Sequence, residues 1–112
     1  MKSIVIAVPN NGMSSAEYEL RQKLLSNFFN IAIKDSYLPH FMCFYGEGVK
    51  LLTKDSIIIN ELKEIENKGV KIISCKTCLG FYNLLDEIQV GSVGTMHDIL
   101  DIMWKADKVL YL

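Results

Sequence analysis

The side chains with the most reactive chemistry in this sequence are two cysteines three positions apart, Cys75 and Cys78. A thiol at the start of a helix is expected to have a lowered pKa, because unpaired N–H groups stabilise the thiolate. Lys76 adds a positive charge beside them. In a reducing compartment such a C-x-x-C pair is more often a redox or sulfur-handling motif than a structural disulfide. The spacing therefore predicts thiol chemistry at this loop.

Two other interpretations of the cysteines stay open. Free cysteine is often a small buried core residue, so the spacing of Cys75 and Cys78 is alternatively incidental. A zinc site needs four ligands, and the pair would have to meet Cys43 and His97. The sequence has neither a second C-x-x-C nor a paired-histidine motif, so we predict no bound metal.

The remaining loop residues carry weaker signals. The sequence has no phosphate-binding G-x-x-x-x-G-K-[ST], and the glycines at 46 and 48 lack the third glycine of a dinucleotide fingerprint, so no cofactor is predicted. His97 is expected in the first turn of a helix, where it either contacts substrate or is an ordinary surface residue. His40 is interpreted as structural.

Composition excludes several classes of protein. The 112 residues are 50% hydrophobic and 22% charged, which is globular composition. With a net charge of −1, the chain lacks the excess of basic residues that is typical of nucleic-acid-binding proteins. No apolar run reaches the length of a membrane span. Residues 1–8 do not resemble an export signal. With three cysteines, an odd number, we expect free thiols and a cytoplasmic location.

The hydrophobic pattern predicts alternating strands and helices. Short, mostly apolar runs predict strands at residues 3–8, 40–45, 70–74, 88–90 and 109–112. Helices are predicted at 14–33, with Ser14 or Ser15 as cap, at 55–68, with Asp55 as cap, and after Thr95, with Asp98 completing a capping box. A weak helical turn is expected at 49–52 and a short helix after Cys78.

The periodicity also predicts which helix faces are buried. In the first helix the apolar stripe is Leu20, Leu24, Phe28 and Ile31, widened by Leu25 and Ala32; in the last helix it is Met96, Ile99, Leu100 and Met103.

Five strands alternating with helices indicate a mainly parallel sheet with helices on both faces. We predict a three-layer α/β/α sandwich of the flavodoxin-like class, formed by one domain over residues 1–112. Ligands of such sheets gather at the carboxyl ends of the strands. Cys75 ends the third predicted strand on that side, so it is the predicted reactive thiol, with Cys78 second.

Several segments together resemble a known family. They are F-Y-x-x-G-V-K-L at 44–51, K-G-V-K-I at 68–72, C-K-T-C-L at 75–79 and Val-Gly at 90–91. This order resembles the DsrE/DsrF-like family, and is most similar to the C-terminal domain of YedF-type, sulfurtransferase-like proteins of selenium metabolism.

The resemblance implies a function and a site. It implies a homo-oligomeric protein that carries sulfur as a persulfide between donor and acceptor proteins, with Cys75 as the carrier and Cys78 as the second catalytic thiol. Gly48, Val49 and Lys50 are the implied substrate-binding loop, to which we add Lys76 and His97. The alternatives are a non-catalytic module that binds a small ligand or a protein, and a thiol redox sensor.

Overall fold

The computed structural model describes residues 3–112 and contains one five-stranded sheet. Its strands are β1 (Ile4–Val8), β2 (Phe41–Phe44), β3 (Lys71–Cys75), β4 (Ser92–Gly94) and β5 (Lys108–Tyr111). The strand order is β4-β3-β2-β1-β5, and every neighbouring pair is parallel. Met1 and Lys2, which begin the stretch predicted to lack an export signal, lie outside the described residues.

Helices connect the strands and cover both faces of the sheet. They are α1 (Tyr18–Asp35), a 3₁₀ helix (Gly46–Leu52), α2 (Ile59–Asn67), α3 (Lys76–Phe81) and α4 (Met96–Lys105). Successive side chains of a strand point to opposite faces, so two cores form. The larger core joins α1, α2, α3 and the 3₁₀ helix to one face, and the smaller core packs α4 on the other. The predicted three-layer sandwich with a parallel sheet is confirmed.

The predicted start of α1 is wrong, and its predicted buried face is right only in part: Leu25 and Ala32 are buried, whereas Leu20 and Ile31 are exposed. The helix begins at Tyr18, because Ser14 takes a left-handed conformation and its Oγ accepts a hydrogen bond from the Ala16 N–H at 3.3 Å. Neither Ser14 nor Ser15 caps it. The buried face runs through four residues at spacings of three and four, namely Gln22, Leu25, Phe29 and Ala32.

The buried face includes the polar residue Gln22, so the apolar periodicity of the sequence does not reveal it. Its Nε2 donates to the Asn11 carbonyl oxygen at 2.7 Å, so its amide is satisfied while it is buried. Leu20 and Ile31 of the predicted stripe are consequently 45% and 53% exposed.

Two other element predictions need correction. Asp55 does not cap α2, which begins at Ile59 after a turn in which the Ile58 N–H donates to Ser56 Oγ. The fourth strand follows residues 88–90 instead of including them. It pairs with β3 only from Ser92 onward, because the preceding Gly91 N–H donates to the Glu66 carboxylate at 2.9 Å.

The last helix begins as predicted. Thr95 Oγ1 accepts a hydrogen bond from the Asp98 N–H, and the Asp98 carboxylate accepts one from the Thr95 N–H, which completes the capping box. Ile99 is buried on the sheet, whereas Met96 and Leu100 of the predicted stripe are exposed. Within the described part of the chain, no helix combines the length and apolar character needed to cross a membrane.

Candidate functional site

The carboxyl ends of β1, β2 and β3 bring three connections together at one edge of the sheet. The loop after β1 contacts the start of the 3₁₀ helix, since the Gly48 N–H donates to the Pro9 carbonyl oxygen at 3.3 Å. The start of α3 lies beside the same 3₁₀ helix through a contact between Cys78 and Gly46. The two predicted catalytic thiols therefore lie at the edge where parallel sheets bind ligands.

Cys75 is the last residue of β3 and immediately precedes α3. Its thiol is free, and the residue is 1% exposed. It belongs to the smaller core, with Val5, Cys43 and Ile99. The predicted reactive thiol is therefore held on the α4 side of the sheet, under protein atoms.

Cys78 lies in the first turn of α3 and is partly exposed. Its Sγ accepts a hydrogen bond from the Gly46 N–H at 3.2 Å. Gly46 has φ +55°, a left-handed conformation that costs glycine little, and this directs its N–H at the sulfur. An N–H aimed at a sulfur atom stabilises that sulfur when it carries negative charge.

The pKa of the Cys78 thiol is raised, mainly by burial. A side-chain hydrogen bond with Cys75 and the charge of Cys75 raise this pKa further, while the Gly46 N–H opposes the rise. The expected lowering of a thiol pKa at this helix start therefore does not hold for Cys78. Cys78 also packs against the smaller core, to which Cys75 belongs, so the two thiols lie close together.

Cys43 lies inside β2 and is fully buried in the smaller core. Burial raises the pKa of its thiol to about 11. A thiol with so high a pKa is little ionised near neutral pH, so Cys43 is expected to react slowly.

We expect iodoacetamide at pH 8 to label Cys78 well before Cys43. At that pH, three units below its pKa of about 11, roughly one Cys43 thiol in a thousand is ionised. Peptide mass spectrometry of time points measures the order of labelling, and labelling in guanidinium is the control in which Cys43 becomes reactive. Equal rates of alkylation for Cys43 and Cys78 in the folded protein would contradict the burial of Cys43.

The predicted substrate-binding loop forms the 3₁₀ helix. Gly48 and Val49 are buried and serve its packing. Lys50 is partly exposed; its Nζ lies 3.2 Å from Glu47 Oε2 and 4.5 Å from the centre of the Tyr82 ring. Lys50 therefore lies beside Tyr82, the residue that follows α3 and lies four positions after Cys78.

Lys76 and His97 are both exposed, at the first residues of α3 and α4. His97 helps to lower the pKa of Asp98, although hydrogen bonds from Thr95 are the main cause. Among residues 3–112 no cluster of three or more His, Cys, Asp or Glu side chains is arranged to hold a metal ion. Cys43, Cys75, Cys78 and His97 accordingly do not form the zinc site that sequence analysis left open.

A cavity of about 300 Å³ opens next to this edge. Lys50 and Tyr82 line it together with Asn11 and Gln22, and neither cysteine does. The cavity therefore neighbours the thiol site through Tyr82 and is separate from it.

Sequence analysis did not identify the Gly46 N–H as part of the site. The sequence pattern of Gly46 and Gly48 was compared only with the dinucleotide fingerprint, which it does not complete. The available signal is a glycine directly after a strand, a position where its left-handed conformation aims a backbone N–H at the adjacent strand end. The partner could not be deduced, because Cys78 lies 32 residues away.

Comparison with known proteins gives the chain's relatives. The model of the DsrE/DsrF-like family matches residues 10–112. No curated protein matches the chain. Three solved structures share its fold at low sequence identity, so they inform the fold alone.

The first is the protein of unknown function MTH1491 from Methanobacterium thermoautotrophicum, with 19% identity, a TM-score of 0.73 and full coverage of both chains. The ychN protein from E. coli has 20% identity and a TM-score of 0.63, also with full coverage of both. The conserved protein of unknown function BT1422 from Bacteroides thetaiotaomicron has 16% identity and a TM-score of 0.69, covering 98% of this chain and 95% of its own.

Proposed function

The chain belongs to the DsrE/DsrF-like family, and we propose that it is a sulfur-relay protein that carries sulfur as a cysteine persulfide. The observation that carries the proposal is the pair of free thiols at the carboxyl end of β3. Cys78 packs against the core cluster that contains Cys75, and a backbone N–H is aimed at the Cys78 sulfur atom.

The proposed chemistry needs no cofactor. A thiolate of the pair attacks the outer sulfur of a donor persulfide, and the donor leaves as a thiolate while the protein gains the sulfur. Attack by an acceptor thiolate on that same sulfur restores the original cysteine. Attack by the second cysteine on the inner sulfur instead forms a disulfide and releases sulfide. Neither route requires a reacting group of this protein other than the two thiols.

The resemblance of the sequence to YedF-type proteins extends the proposal to its partners. We propose that donor and acceptor are proteins of sulfur or selenium relay in the cytoplasm, where thiols stay reduced. We also propose a homo-oligomer. Large exposed apolar side chains support this, and a subunit interface would cover them; on α4 they are Met96, Leu100 and Trp104.

Incubation with glutathione persulfide, followed by alkylation and intact-mass measurement, tests the proposal. We expect the wild-type protein to gain one sulfur atom and the double variant Cys75→Ser/Cys78→Ser to gain none. The matched control is Cys43→Ala, which removes the third thiol and is expected to load as the wild type does.

The alternatives give different masses in the same experiment. A redox sensor, which the proximity of the two free thiols also supports, loses two hydrogen atoms on oxidation and gains no sulfur at any time point, whereas a carrier gains the sulfur before any disulfide forms. A binding module, supported by the neighbouring cavity, shows neither change. A double variant that gains as much sulfur as the wild type contradicts the assignment to Cys75 and Cys78.

A further inference from the structure

The two thiols of the site differ in their access to solvent. Cys75 is 1% exposed and lies in the smaller core, whereas Cys78 is partly exposed and packs against both cores. A donor persulfide outside the protein therefore reaches the sulfur of Cys78 without displacing the core. Reaching the sulfur of Cys75 requires α3 or the neighbouring core side chains to move.

We infer that sulfur enters and leaves through Cys78 and is stored on Cys75, so the chain performs an internal two-step relay. The inference rests on the proposed persulfide function and adds the order and direction of transfer. Cys78 becomes the exchange thiol for partners, and Cys75 becomes the protected carrier.

Each step exchanges one S–S bond for another. In the first, the Cys78 thiolate attacks the outer sulfur of the donor persulfide; the donor S–S bond breaks, and the donor leaves as a thiolate with the electron pair. In the second, the Cys75 thiolate attacks the outer sulfur of the Cys78 persulfide, and Cys78 leaves as a thiolate. The proton that Cys75 gives up goes to Cys78, which packs against the core cluster that contains Cys75. No external oxidant or reductant is consumed.

The Gly46 N–H supports the thiol that must carry charge in both steps. Cys78 is the nucleophile of the first step and the leaving group of the second, and both roles place negative charge on its Sγ. The N–H lies 3.2 Å from that atom before any reaction. A donor already in place stabilises this charge without reorganisation, as oxyanion-hole donors do.

Storage on a buried sulfur has a measurable consequence. A persulfide on exposed Cys78 is open to attack by small thiols such as glutathione, which would remove the sulfur before an acceptor arrives. A persulfide on Cys75 is shielded by the smaller core. The loaded protein is therefore expected to keep its sulfur in the presence of glutathione.

Rapid-quench loading with glutathione persulfide tests the order. In the wild type we expect the added sulfur on Cys78 at the earliest time points and on Cys75 later, assigned by fragmentation mass spectrometry of the alkylated peptide. In Cys78→Ser we expect Cys75 to load more slowly, by about tenfold or more, because the accessible thiol is gone. In Cys75→Ser the sulfur remains on Cys78.

A second measurement is needed because a polar serine at the buried position of Cys75→Ser can prevent folding. Cys75→Ala keeps that position apolar, and glutathione is expected to strip sulfur from it faster than from the loaded wild type. Loading of Cys75 in Cys78→Ser at the wild-type rate, or first appearance of the sulfur on Cys75 in the wild type, would overturn the inference and leave the proposed function intact. Absence of added sulfur from both thiols of the wild type would overturn the proposed function itself.

Discussion

Gly48→Ala is expected to destabilise the fold by about 3 kcal/mol, the upper end of the usual cost of overpacking. A Cβ at this position would lie 1.9 Å from the Val8 carbonyl oxygen and 2.9 Å from its carbonyl carbon. These are backbone atoms of β1, which is hydrogen-bonded to β2 and β5, so no side-chain rotation relieves the clash. The 3₁₀ helix must move away from β1 instead.

Chemical denaturation monitored by circular dichroism measures the change in the free energy of unfolding. The matched control is Gly80→Ala in α3, where the nearest atom to a new Cβ is Leu85 Cδ1 at 3.9 Å. Alanine is the better helix former by about 1 kcal/mol, so this control is expected to be neutral or stabilising. Wild-type stability of Gly48→Ala would contradict the close packing of the strand-end loops.

The same substitution connects stability to the site. Gly48 is two residues after Gly46, so displacement of the 3₁₀ helix moves the N–H away from Cys78. We therefore expect folded Gly48→Ala protein at low temperature to load sulfur more slowly than Gly80→Ala. Both backbone contacts of this turn, from the Gly48 N–H to Pro9 and from the Gly46 N–H to Cys78, come from one short segment.

Phe29→Ala is expected to cost about 3–5 kcal/mol, the usual range for truncating a fully buried aromatic side chain. Phe29 lies at the centre of the buried face of α1 and packs in the larger core. Its ring also makes an edge-to-face contact with Phe28, at 5.4 Å between ring centres. The substitution therefore removes both core volume and an aromatic contact.

The control for this prediction is Ile31→Ala on the same helix. Ile31 is exposed, so its truncation is expected to change the free energy of unfolding by less than about 0.5 kcal/mol. The sequence pattern predicts the opposite ranking, because it places Ile31 in the apolar stripe. Thermal and chemical unfolding of the two variants therefore decide between the two orientations of α1.

Local sequence determined which segments become strands and where the reactive residues lie along the chain. Short apolar runs specified four of the five strands to within a residue or two, since burial of such runs depends on their own composition. The Thr95–Asp98 capping box was equally readable, because both partners lie within one helical turn. The position of Cys75 at a strand end followed from the same runs.

Tertiary structure decided the features that depend on residues distant in the chain. The orientation of α1 depends on the hydrogen bond that lets Gln22 be buried, and the start of β4 depends on Glu66. The different exposure of Cys75 and Cys78 arises from packing under α4, and the Gly46 N–H meets a sulfur 32 residues away. No periodicity encodes such contacts, because each one joins two segments that become neighbours only when the sheet has formed.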